Sequence, residues 1–112
     1  MKLPDEPLNK RLAEFAREVE DRVNIVVRMT GVRVKVKPPV EANSDGSFSL
    51  RLAMIRDGEK LKEYSAVEEF RCTADTMFES LMADVVAVDM AAVVVDDLVE
   101  MGILVRSDEK SE

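Results

Sequence analysis

The 112-residue chain contains no histidine and no tryptophan, and its only cysteine is Cys72. Histidine is the commonest general base and metal ligand, so its absence removes every Ser-His or Cys-His nucleophile pair. A zinc site would need four ligands from one cysteine and carboxylates, and we therefore expect no metal and no cofactor. A single cysteine also cannot form an intrachain disulfide, which fits a reducing compartment such as the cytoplasm.

Glycine and long apolar runs are also scarce. The four glycines, at positions 31, 46, 58 and 102, are typical of turns or helix ends, and none belongs to a phosphate-binding loop. Without such a loop and without histidine, the sequence predicts a protein that is not an enzyme. Its apolar runs are cut by Asp84, Asp89 and Asp96, well short of the roughly 18 residues that cross a membrane. The segment 1–6 does not resemble a signal peptide.

The chain is acidic, with a formal net charge of −7, and 46% of its residues are apolar. This composition fits one folded domain, which we place at residues 1–106, followed by a charged tail at 107–112. A strongly acidic chain is a poor default ligand for nucleic-acid phosphates, because like charges repel one another at long range.

The first half of the chain predicts a helix followed by two strands. Apolar residues recur at three- and four-residue steps over residues 8–29, and Gly31 is the expected stop. Valine then alternates with a basic residue over 32–37, which is typical of a half-buried strand. Alternation returns over about 47–56, and Asp57-Gly58 predicts a hairpin turn.

The second half predicts a third strand and a second helix. The strand covers roughly 60–71, with Tyr64, Ala66 and Phe70 pointing inward, but Glu68 breaks the alternation, so a bulge or an end near Val67 is expected. The helix covers about 74–101; the alternative is a break near Asp89, with 93–95 extended. Residues 103–105 form either a short strand or an apolar tail that packs back.

These elements give an α+β fold of order α-β-β-β-α, in which two long helices flank a three-stranded antiparallel meander. The order is similar to that of double-stranded-RNA-binding domains, whose second helix starts with a basic Lys-Lys-x-Ala-Lys-like segment. Here residues 73–77 place an acid, Asp75, where bases are needed, so we do not expect that activity. Small dimeric nucleoid-associated proteins and acidic dimeric secretion chaperones combine similar elements, but function does not follow from fold.

The second helix predicts self-association. At about 1.5 Å per residue it would be about 42 Å long, and it is apolar around most of its circumference. One three-stranded sheet cannot easily cover that surface, so we expect a homodimer, the commonest oligomer. The alternative is a monomer with both helices on one face of the sheet. The predicted interface consists of Leu81, Val85, Val88, Ala92, Val95 and Val99.

Two charged surfaces are candidate binding sites. Six acids of the second helix fall within one arc of about 100°: Asp75, Glu79, Asp89, Asp96, Asp97 and Glu100. This acidic arc is either a solvated face that keeps the protein soluble or a docking face for a partner protein. The other surface is a basic strip for nucleic acid, formed by Arg33, Lys35, Lys37 and Arg51. No aromatic residue interleaves this strip, so base stacking is not expected.

Asp84 stands apart from the acidic arc, among apolar residues of the second helix. An ionised carboxylate in that position needs a partner or exposure. It is either a functional carboxylate, catalytic or facing a partner, or a structural one. The structural interpretation, which we favour, is a salt bridge to an arginine of the first helix or of a second subunit, or simple exposure at the edge of the helix.

The sequence as a whole favours a small, cytoplasmic, non-catalytic homo-oligomer that acts by binding another protein, as an adaptor, a regulatory chaperone or an inhibitor, including one of phage origin. The alternatives are a dimeric nucleic-acid-binding protein that uses the basic strip, and a structural subunit of a larger assembly. The sequence does not identify the partner protein.

Overall fold

A computed structural model describes residues 6–39, 42–64, 70–76 and 81–104. Helix α1 (Glu6–Val27) is followed by strands β1 (Val32–Lys37), β2 (Phe48–Ser49), β3 (Arg51–Arg56), β4 (Glu59–Tyr64) and β5 (Arg71–Cys72), and then by helix α2 (Met82–Glu100). This confirms the predicted α+β class and the order of its elements.

Helix α1 forms where the apolar spacing predicts it, although it starts and ends two residues earlier than expected. Its buried side chains recur at steps of three and four residues and face the sheet and α2: Leu12, Phe15, Ala16, Val19, Val23 and Val27. A short 3₁₀ turn (Arg28–Thr30) follows, and Gly31 then adopts a φ of 80°, a left-handed value that favours glycine.

The main sheet is antiparallel with strand order β1-β3-β4, and residues 57–58 form the tight hairpin turn that the sequence predicts. Both turn residues have positive φ, 53° for Asp57 and 81° for Gly58, as in the turns that suit hairpin twist. Valines of β1 pair with Leu52 and Met54 of β3 and point the same way, into the core. The basic residues of β1 therefore point out of the opposite face.

The second and third predicted strands are each interrupted. Leu50 separates β2 from β3, and the third strand appears as β4 and β5 with residues 65–69 between them, so the predictions for Ala66, Val67 and Glu68 lie outside the described residues. The β3–β4 register shifts between Met54 and Ile55, which leaves Leu61 without a partner in the ladder. That shift is a bulge, earlier in the strand than the one the sequence predicts.

Polar side chains of α1 cover the outer edge of β1. The side-chain amide of Asn24 donates to the carbonyl oxygen of Val34 and accepts from its N–H group, both at 2.8 Å. Glu20, one helical turn earlier, accepts from the N–H group of Val36 at 2.9 Å. These bonds replace a fourth strand, because they satisfy backbone groups that an uncovered edge would leave open.

Helix α2 is shorter than predicted at its N-terminal end. It starts at Met82, whereas residues 74–76 form a turn and 77–80 lie outside the described residues. The N–H group of Thr73 donates to the hydroxyl oxygen of Thr76, and the N–H group of Thr76 donates to the hydroxyl oxygen of Thr73, the reciprocal pattern of a capping box. The predicted continuity of the helix through Asp89 is confirmed, and the alternative, a break near that residue, is wrong.

The chain reverses at Gly102, and residues 103–104 pack against the core instead of adding a strand. The N–H groups of Ile103 and Leu104 donate to the carbonyl oxygen of Leu98, which closes the end of α2. Both side chains are partly buried against the core. Of the two alternatives predicted for residues 103–105, the structure therefore supports an apolar tail that packs against the core, not a short strand. Val105 lies outside the described residues.

Replacing Asn24 by alanine tests whether α1 holds the edge of β1. We expect Asn24→Ala to lower the free energy of unfolding by about 1–3 kcal/mol, because the variant leaves two backbone groups of Val34 without partners. Urea denaturation measures the loss. The control is Arg17→Ala, an exposed change on the same helix, which should cost less than about 0.5 kcal/mol. Equal losses in the two variants would contradict this role of Asn24.

Candidate functional site

Helix α2 has one buried apolar face and a second apolar face that the chain leaves uncovered. The buried face consists of Ala83, Val86, Ala87, Met90, Ala91, Val94 and Leu98. The second face, here called the apolar stripe, consists of the six predicted interface residues: Leu81, Val85, Val88, Ala92, Val95 and Val99. At about 100° per residue these six fall within an arc of about 80°.

The apolar stripe is exposed in the single chain. Leu81 is 70% exposed and Val88 68%, while Val95 and Val99 are partly covered. Both helices lie on the same face of the sheet, as the monomer alternative supposed, yet this packing does not cover the stripe. The sequence thus predicts the exposed face of α2 correctly. The homodimer that would cover this face in solution stays a prediction.

Helix α1 widens this surface beyond what the sequence indicated. Val26 was expected on the buried face of α1, but it is 56% exposed, and Ile25 and Met29 beside it are also exposed. Val26 lies across from α2 at a groove of about 440 Å³. The groove is lined by Val26, Val88, Ala91, Ala92, Val95 and Asp96. The sequence feature that could have predicted these exposed side chains is the run of three apolar residues at 25–27, because only one residue of such a run on a helix can face the core.

Arg22 and Asp84 join the two helices on the rim of this surface. The Nε atom of Arg22 donates to Oδ1 of Asp84, and its Nη1 atom donates to the backbone carbonyl of Glu18 at 3.0 Å. The Asp84 side chain is 54% exposed, so it is not the buried carboxylate that a catalytic role would require. This contact confirms the salt-bridge interpretation of Asp84. Because both side chains are partly exposed to solvent, the salt bridge positions the two helices but adds little to the free energy of unfolding.

The structure divides the six predicted acids among different places. Asp89, Asp96 and Glu100 share one exposed edge of α2, next to the apolar stripe, and Asp96 has a polar interaction of its own. Asp75 lies in the turn before α2 and not on the helix, because α2 starts at Met82, later than predicted. Asp97 turns toward β4, and Glu79 is outside the described residues. Among the described residues, the predicted acidic face therefore keeps one exposed edge of three carboxylates, Asp89, Asp96 and Glu100.

Asp97 connects α2 to the sheet, a role that its place in the acidic arc did not reveal. Its Oδ2 atom accepts hydrogen bonds from the Tyr64 hydroxyl and, at 2.9 Å, from Nζ of Lys62. Burial raises the pKa of Asp97, but the hydrogen bond from Tyr64 and the charge of Lys62 outweigh it, so the pKa lies below its ordinary value. Asp97 is therefore a structural carboxylate that is stabilised in its ionised form.

The basic residues Arg33, Lys35 and Lys37 project from the outer face of the sheet, with Arg51 opposite Lys37 on the neighbouring strand. Nη2 of Arg51 donates to the carbonyl of Pro38 at 2.9 Å. The structure thus brings the four predicted residues together, on the side of the molecule away from the helices.

Cys72 is buried, as expected for a small apolar residue, and burial raises the pKa of its thiol to about 11. A thiol with this pKa is protonated at neutral pH and is a weak nucleophile. In the described part of the chain, no three metal-ligating side chains are grouped closely enough to hold an ion. Within the same residues, no helix combines the length and apolar character needed to cross a bilayer.

The chain matches no protein-family profile, no curated protein and no solved structure. Its function must therefore be inferred from its own surfaces. The apolar stripe with the groove beside it exposes aliphatic side chains that an ordinary solvated surface would not, and we take it as the candidate functional site.

Replacing Asp97 by asparagine tests the link between α2 and β4. The lowered pKa of Asp97 means that its ionised form stabilises the fold above the ordinary carboxyl pKa of about 3.9, and that this stabilisation disappears as the pH falls through the folded-state value. We expect Asp97→Asn to lower the free energy of unfolding by about 1–2 kcal/mol at pH 7.

The measurement is urea denaturation at several pH values, with Asp89→Asn as the matched control on the exposed edge of the same helix. The deficit of Asp97→Asn should shrink below about pH 4, where the carboxylate becomes protonated. A deficit that stays constant down to pH 2, or one that the control reproduces, would contradict this role of Asp97.

Proposed function

We propose that this chain is a non-catalytic protein that acts by binding another protein, and that it does so as a homodimer joined through the apolar stripe of α2. The observation that carries this proposal is the exposure of the stripe. Its aliphatic residues line one side of α2 from Leu81 to Val99, and the exposed Val26 of α1 lines the groove beside them.

A surface of this kind is unusual on a protein that stays alone. Soluble monomers seldom expose contiguous apolar patches larger than a few hundred Å², and larger patches mark interaction sites. Positions 81 to 99 span about 27 Å along a helix axis, and α1 lies beside them. Burying this area removes apolar surface from water, which is the main favourable contribution to protein association.

A second copy of the chain fits the stripe because the stripe itself carries no charge. When two copies face each other across a twofold axis, each stripe meets an identical aliphatic surface, so no like charges are forced together at its centre. The acidic edge formed by Asp89, Asp96 and Glu100 stays at the rim, where solvent screens it. The Arg22–Asp84 pair lies on the rim as well.

The dimer leaves the acidic edge and the sheet face free for a partner. In this proposal the partner is a protein with a basic surface that meets the acidic edge in the cytoplasm, and the chain serves as an adaptor, a chaperone or an inhibitor. The lack of histidine and of a phosphate-binding loop supports a binding role over a catalytic one.

A charge placed in the stripe tests the dimer. We expect Val88→Glu to weaken self-association by about 3 kcal/mol, or at least about 100-fold in Kd, because it buries an unpaired carboxylate in the interface. The matched control is Leu61→Glu, which places the same charge on an exposed aliphatic residue of β4. Size exclusion with light scattering at two concentrations measures the mass of each protein.

The proposal requires twice the chain mass of 12.5 kDa for the wild type and for Leu61→Glu, and the chain mass itself for Val88→Glu. A wild-type protein that remains monomeric at high concentration would contradict it. Rings or open polymers would favour the structural-subunit alternative, because only contacts between unlike surfaces continue beyond a closed pair.

A further inference from the structure

The outer face of the sheet carries four basic residues, here called the basic row: Arg33, Lys35, Lys37 and Arg51. The valines of β1 are buried against the helices, so the alternating basic residues point to the other side. Arg51 joins them because it pairs with Lys37 across the β1–β3 ladder. The basic row and the acidic edge of α2 therefore lie on opposite sides of the molecule.

The basic row lacks the ionic partners that an acidic chain could easily supply. Within the described residues, no carboxylate forms an ion pair with Arg33, Lys35 or Lys37, although the whole chain has 23 acids and 16 bases. An acidic chain that leaves three successive bases without ion pairs keeps a local positive charge, which attracts anions at short range.

Among the described residues, Glu63 and Glu20 lie close to this face, and both have other partners. Glu63 pairs with Lys60 at 3.1 Å, and that hydrogen bond and charge, with smaller contributions from Lys37 and Arg51, lower the pKa of Glu63. Glu20 lies beside Arg33 and Lys35, and its Oε1 atom accepts from the N–H group of Val36. Among the described residues, four bases against these two engaged carboxylates leave the face positive.

The spacing of the basic residues and the side chains beside them on β3 indicate what kind of anion the basic row fits. Alternate residues of a strand lie about 6.8 Å apart, so positions 33 to 37 extend over about 14 Å. Duplex nucleic acid carries one phosphate per about 1.7 Å of its axis, so a row of this length meets several phosphates. Ala53 and Ile55 lie beside the row on β3, and neither can stack on a base.

We propose that the basic row binds the phosphate backbone of duplex nucleic acid without reading its sequence. Single strands bind well where aromatic side chains stack on their bases, and this face has none among the described residues, so the denser charge of a duplex is favoured. The acidic edge on the opposite side orients the chain with its basic row toward the duplex. This binding uses a different surface from the apolar stripe and is independent of the proposed dimer.

The test compares two variants that lose the same number of positive charges. One is Arg33→Gln/Lys35→Gln/Lys37→Gln in the basic row. The matched control is Lys10→Gln/Arg17→Gln/Arg28→Gln, three exposed positions on or just after α1. Fluorescence anisotropy with a labelled 20-base-pair duplex in 50 mM salt measures binding, and a single strand of the same sequence and anionic vesicles are the competing ligands.

We expect the row variant to bind at least about tenfold more weakly than the control, and its salt dependence, the slope of log K against log salt, to decrease in magnitude by about 2.7 for three lost contacts. Lys35→Arg/Lys37→Arg, which keeps the charges, should bind the duplex like the wild type. Equal losses in both variants, no wild-type binding in 50 mM salt, or tighter binding to the single strand or to vesicles would each overturn the proposal.

Discussion

The fold depends on how much apolar surface of α2 one chain can cover. α2 has seven buried residues on its core-facing side and a stripe of six more aliphatic residues on the other. Helix α1 packs against α2, and Tyr64 and Lys62 of β4 donate hydrogen bonds to its Asp97. A helix that is apolar on both sides needs cover from both sides. The chain thus buries a core of its own but leaves a second apolar surface of α2 exposed. We propose a dimer because a second copy of the chain would bury that surface.

Polar contacts fix the arrangement that leaves the stripe outside. Asn24 and Glu20 hold α1 along the edge of β1, and Asp97 holds α2 against β4 through Tyr64 and Lys62. With both helices held on one face of the sheet, the basic residues of β1 are left on the other. The polar contacts therefore also separate a basic face from an acidic edge, although the chain as a whole is acidic.

Residue periodicity predicted α1 and β1 because each has one buried face, and the Asp57-Gly58 pair predicted the hairpin. It also located the apolar stripe, because the spacing of Val88, Ala92 and Val95 places them on one side of any helix. It could not predict contacts between distant residues, such as Asp97 with Tyr64, since a carboxylate that faces the sheet has the same sequence spacing as one that faces solvent. The turn at residues 73–76 was missed because apolar periodicity continues through it and does not show where a helix begins.

Isotope-filtered NMR on an equal mixture of labelled and unlabelled chains tests the dimer most directly, because it detects only contacts between copies. If the apolar stripe joins two copies, intermolecular contacts reach the methyl groups of Val88, Ala92 and Val95, and none reach those of Leu61 on β4. Stripe methyl groups that contact only their own chain and water, in a sample at millimolar concentration, would show that the second apolar surface of α2 stays uncovered and would contradict the dimer.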